Sequence, residues 1–140
     1  MNTNLPAIQD ALHAAIVAQN PGCRVSLGYP LLGTRDEDLW VDIDGDVDVV
    51  EEWSGGCSRK EAQTVHVKLL IEKMGGTPKN TRDRAFALFA SVEAALAADR
   101  TLGGRCEYAS VKQITPAVAY EDELIKYGID ATVAIRTTVA

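Results

Sequence analysis

The residues that could do chemistry in this chain are few, and the acidic run Asp42-x-Asp44-x-Asp46-x-Asp48 is the first to weigh. Alternating carboxylates suggest a calcium loop, because a hard cation collects several carboxylate oxygens. The spacing does not complete that motif. The sixth position, where a glycine must turn the loop, holds Val47, and the twelfth holds Trp53 in place of glutamate. The same residues alternate with apolar ones as a strand does, so the run reads as the polar face of a β-hairpin. A divalent ion held by this hairpin, in a small cytosolic binding domain or enzyme, is the competing reading. The other nucleophiles and bases are scattered. His13 sits on a helix with no ligand partner nearby, and His66 stands mid-strand beside Lys68. Cys23, Cys57 and Cys106 are odd in number and widely spaced, without a CxxC pair or a zinc pattern. They are expected as buried reduced thiols. The pairs Gly55–Gly56, Gly75–Gly76 and Gly103–Gly104 match no phosphate-binding motif and read as breaks between elements. No catalytic set, cofactor site or metal site is assigned.

The elements around these residues follow from periodicity. A first helix is expected over residues 5–19, with Asn4 as cap, Pro6 in its first turn, and Leu5, Ile8, Leu12, Ala15, Ile16 and Gln19 inward. Asn20–Pro21–Gly22 ends it. Cys23–Tyr29 reads as a strand and Pro30–Asp38 as a loop. Leu39–Asp44 and Asp46–Trp53 read as a hairpin turning at Asp44–Gly45, a preferred pair for a tight turn. Gln63–Lys73 has Val65, Val67, Leu69 and Ile71 on one face and is the strongest core strand by pattern.

Asn80–Gly104 is the organising stretch. Asn80 and Thr81 are both suited to cap a helix running to about Asp99. Ala85, Leu88, Phe89, Val92, Ala95 and Leu96 share its inward face. Ala87, Ala90, Ala94, Ala97 and Ala98 lie outside that face. They reflect either helix propensity or a close neighbour. Two glycines then permit a left-handed exit. Arg105–Ala119 reads as a strand with a bend or edge at Pro116, Tyr120–Lys126 as an acidic turn, and Ile129–Val139 as the last strand. The whole is an α+β fold: a single domain over residues 1–140, with one mainly antiparallel β-sheet and two helices on one face.

Composition narrows function further. The 140 residues carry 14 Lys and Arg against 20 Asp and Glu, a formal net charge of −6. That balance disfavours a protein gripping nucleic acid through phosphates, yet suits a surface past which DNA slides without adhering. No apolar run approaches the roughly 20 residues of a membrane span, and MNTNLPAIQD has no secretory pattern.

The segment LFASVEAALAADRTLGGRCEYASV, with Leu96, Asp99, Leu102, Gly103 and Gly104, then Tyr120–Glu121 and the alternating Ile129–Val139, resembles the tail terminator (tail completion) proteins of long-tailed bacteriophages. The similarity covers about the last 60 residues, and the remainder through element order alone. The resemblance implies a non-enzymatic α+β subunit of the virion, assembled in the host cytoplasm. Such subunits form a hexameric ring that ends tail-tube polymerisation and docks the head connector, with DNA crossing the lumen unbound. A neck or head-completion protein of the same region is the neighbouring reading. The partners are then the chain itself, the tube protein and the connector. The residues expected to make these contacts are Arg35, Asp36, Trp40, Asp42, Asp44, Asp46, Asp48, Tyr120, Glu121, Glu123 and Arg136.

Overall fold

A computed structural model describes residues 3–31, 36–52 and 58–139. The expected Ser54–Gly56 break, Trp53, Cys57, Gly33 and Arg35 lie outside these residues. The elements run α1 (Leu5–Ala18), β1 (Arg24–Leu27), β2 (Glu37–Val41), β3 (Asp46–Glu52), β4 (Arg59–Met74), α2 (Pro78–Ala98), β5 (Tyr108–Glu121) and β6 (Leu124–Val139). The fold is α+β, with one six-stranded sheet in the order β1-β2-β4-β6-β5 and β3 also paired to β4. Every pairing is antiparallel except that of β1 with β2.

The sheet is built on β4. Its residues alternate between burial and partial exposure along nearly the whole strand, because Val65, Val67, Leu69 and Ile71 all point to the helices. Strand β6 repeats the pattern with Ile129, Ala131, Val133 and Ile135. Both helices lie on that side. α1 contributes Ile8, Leu12 and Ile16, and α2 contributes Ala85, Leu88, Phe89, Val92, Ala95 and Leu96. All six expected inward residues of α2 are therefore core. Its alanines Ala87, Ala90, Ala94, Ala97 and Ala98 are exposed, so α1 does not cover them.

Four features at element ends differ from the sequence reading. Thr77 caps α2, its hydroxyl accepting from the Asn80 N–H at 3.2 Å, with Pro78 in the first turn. Thr81 is buried instead, and its hydroxyl donates back to the Thr77 carbonyl. Asn4 precedes α1 without a side-chain capping bond. Its amide donates to the Arg105 carbonyl and Thr137 hydroxyl and accepts from Gln63. Tertiary partners outbid the local cap here. The expected strand from Arg105 begins only at Tyr108, and the expected acidic turn shrinks to Asp122–Glu123, with Tyr120, Glu121 and Leu124–Lys126 in the ladder. Asp122 sits at φ 55°, the left-handed conformation that asparagine and aspartate tolerate.

The larger correction concerns the hairpin at Asp44–Gly45. Strands β2 and β3 do not pair with each other. They lie one after the other along the same edge of β4, β2 against Val67–Ile71 and β3 against Arg59–Thr64. At about 3.3 Å per residue, the 16 residues of β4 offer an edge long enough for both. Gly45 serves close approach here, not a reversal. At φ 152°, a Cβ on it would lie 2.4 Å from the Thr64 carbonyl oxygen. The Asp44 carbonyl is also pinned by the Gln9 amide at 2.7 Å, which explains why Gln9 is buried on α1.

Candidate assembly surfaces

The acidic run does not converge on a point. Asp42 turns inward to the sheet, accepting from Trp40 Nε1 at 2.9 Å and pairing with Lys68 Nζ at 3.1 Å. Hydrogen bonding to Asp42 raises the Lys68 pKa above its ordinary value. Asp44 lies in the connection between β2 and β3. Asp46 and Asp48 stand opposite Thr64 and Ala62 on the side of the sheet away from the helices. Asp44, Asp46 and Asp48 are exposed. Among the described residues, no group of three or more His, Cys, Asp or Glu side chains is placed to hold a metal ion.

The other expected contact residues fall into separate places. Trp40 is buried, packed edge-on to Tyr29 with ring centres 5.4 Å apart, so its indole is committed inside the subunit. Asp36 is exposed beside β2, its carbonyl accepting from the Glu72 N–H. Tyr120, Glu121 and Glu123 cluster at the tip of the β5–β6 hairpin, all exposed, with Glu121 paired to Lys126. Arg136 is exposed at mid-sheet, opposite Ala62 on one side and Tyr108 on the other. The structure thus brings together Trp40 with Asp42, and Tyr120 with Glu121 and Glu123. It scatters the rest along two edges and one face.

The helix exit quoted in the sequence is a built turn. Asp99 accepts from the Thr101 N–H and hydroxyl and from the Gly103 N–H. Those bonds, the Thr101 hydroxyl foremost, hold its carboxyl below the ordinary aspartate range. Leu102, Gly103 and Gly104 follow at φ 51°, 73° and 80°. Leu102 is driven into the core at 2% exposure, which outweighs the cost of a left-handed leucine. Cys106 is buried behind this turn, and burial pushes its thiol pKa up; Cys23 is half-buried and shifted the same way for the same reason.

Apart from Tyr120, the sequence reading missed the exposed apolar side chains and their placement. Leu27, Tyr29, Leu31, Ile43, Val49 and Val50 are exposed on the β1 and β3 side. Phe86, Tyr108, Val118 and Tyr120 are exposed on the α2 and β5 side. Between these last lies a seam. α2 packs mainly on β6 and β4 and touches β5 only lightly. A groove of about 470 Å³ opens along it, lined by Glu93, Leu96 and Ala97 from α2, by Arg100 in the turn after it, and by Ser110–Ile114 of β5. Alternation cannot reveal this, because it shows which residues leave a strand together but not where the covering helix ends.

No family model matches the chain, and no curated protein matches it. Among solved structures, a chain of one described as the virion of a native gene transfer agent (GTA) particle is similar over 93% of this chain and 98% of that chain. The identity is 13% and the TM-score 0.44.

Proposed function

We propose that this chain is a structural subunit of a phage-type virion, a tail terminator that assembles head to tail into a ring of about six copies. The observation that carries the reading is the pair of open lateral edges. One sheet ends in β5 on one side and in β1 and β3 on the other, and both sides bear exposed apolar side chains. Two different patches on opposite sides of one subunit make a heterologous contact, which repeats into a closed ring or an open filament. The Asp99–Gly104 turn supports the sequence resemblance, since Leu96, Asp99, Leu102, Gly103 and Gly104 act there as one structural unit. In this reading the ring caps the tube, ends its growth and offers the connector a surface. The net charge of −6 keeps transiting DNA from adhering.

The test is the mass of the purified protein across concentration, together with electron microscopy of tail tubes mixed with it. Rings, and tubes whose ends carry them, are expected. A strict monomer that leaves tube ends bare and tube length unaltered overturns the proposal.

A further inference from the structure

The two sides of the sheet differ in charge as well as in position. Strand β3 has the sequence DVDVVEE, without a single base. Its exposed side chains are Asp46, Asp48, Val49, Val50 and Glu51, a mixed acidic and apolar strip. Among the described residues β3 pairs with β4 alone, so its outer backbone groups are open. The opposite side holds the seam between α2 and β5. Its floor is apolar, with Leu96, Ala97, Val111 and Ile114, and its rim carries Arg100 and Lys112 against one acid, Glu93.

The rim is shaped by a β-bulge. Register slips between Val111 and Gln113, leaving Lys112 as the extra residue, exposed at the edge. Further along β5, Pro116 has no N–H to donate. Bulge and proline together block a long hydrogen-bonded strand addition along β5, as edge strands commonly are blocked. What remains is a groove that receives side chains. Arg100 is set over the Tyr108 ring, 5.4 Å from its centre, and donates to the Tyr108 hydroxyl at 2.9 Å, which fixes the guanidinium at the groove mouth.

We infer that the α2–β5 groove is the receiving half of the subunit contact and that its occupant is the β3 edge of a second copy of this chain. Val49 and Val50 enter beside Ala97 and Ile114, while Asp46 and Asp48 meet Lys112 and Arg100. The inference rests on the ring reading and names its two surfaces. The apolar contact supplies adhesion, and the charge pairing fixes which side meets which. It also disfavours β3 meeting β3, where carboxylates would face carboxylates, and so selects head-to-tail assembly over a two-fold dimer. A ring needs that selection.

Reciprocal charge reversal tests this. One variant carries Asp46→Lys and Asp48→Lys, the other Arg100→Glu and Lys112→Glu, all at exposed positions. Thermal unfolding within a few degrees of the parent establishes that each folds. Native mass spectrometry is expected to show each variant alone as a monomer. The two mixed in equal amounts should re-form rings, each new basic edge meeting a new acidic groove, and the chain with all four changes should do the same. Variants that assemble alone as the parent does, or that stay monomeric when mixed, overturn the inference while parent rings leave the ring reading standing. A parent that never assembles overturns both.

Discussion

Glu61 is a carboxylate set among the buried side chains of the sheet. It lies on the helix side of β4, fully buried, where a valine would continue the strand pattern. Burial alone would raise its pKa. Hydrogen bonds from Gln63, Thr3 and Arg59 outweigh that and hold the carboxyl below the ordinary glutamate value of 4.5. Because the folded pKa is the lower one, the unfolded chain binds more protons in this window. Glu61 therefore contributes stability that is full above about pH 4.5 and is lost as pH falls through its folded pKa. Glu37, held down first by its hydrogen bond from Arg84, adds a contribution of the same sign. Urea unfolding followed from pH 7 to pH 3 should show stability falling below about pH 4.5, and Glu61→Gln should flatten part of that fall. An unchanged slope in the variant would mean the carboxylate network is not ionised in the folded state. This cluster was illegible in the sequence. Thr3, Asn4, Arg59, Glu61, Gln63 and Thr137 are polar residues from three separate stretches, and only the folded sheet brings them together. Asn4 reads as a cap for the same reason: a local rule has no access to Arg105 or Thr137.

At the scale of elements, periodicity was a reliable guide where one face of an element is buried along its whole length. The inward faces of α2, of β4 from Val65 to Ile71 and of β6 from Ile129 to Ile135 are readable, since their apolar residues recur at helical or strand period against one core. Partner choice was not readable. Asp44–Gly45 has the composition of a tight turn, and a hairpin and a straight continuation place the same residues on the same faces. The length of β4 decides between them, and so does the demand at Gly45 for a residue without a side chain. Gly45→Ala measures that demand. Its methyl would meet the Thr64 carbonyl oxygen, a backbone atom that cannot swing aside, from a φ that an L-residue rarely adopts. A loss of about 3 kcal/mol is expected, the upper end for such strain. Gly104→Ala is the control, with a positive φ but nothing near the added carbon, and should cost about 1–2 kcal/mol. Equal losses in equilibrium unfolding would show that conformation alone, not the close passage of β3's entry over β4, governs Gly45.

For the whole molecule, the ring proposal asks which side of α2 would meet a neighbour. The alanines outside its inward face had two readings from sequence, helix propensity or a close partner, and α1 turns out not to be that partner. They separate by position. Ala97 lines the groove beside β5 with Leu96 and Arg100, whereas Ala94 is exposed and lines none of the grooves described here. Both are exposed in the subunit, so a tryptophan at either should leave folding within about 0.5 kcal/mol of the parent, as surface changes usually do. Their effects on assembly should differ. Ala97→Trp fills the space that Val49 and Val50 of a second copy would take, and ring formation measured by mass should be lost. Ala94→Trp should assemble normally, its alanine being there for helix propensity. Loss in both variants would extend the contact across the outer face of α2, beyond the groove. Assembly retained in Ala97→Trp would remove the groove from the contact.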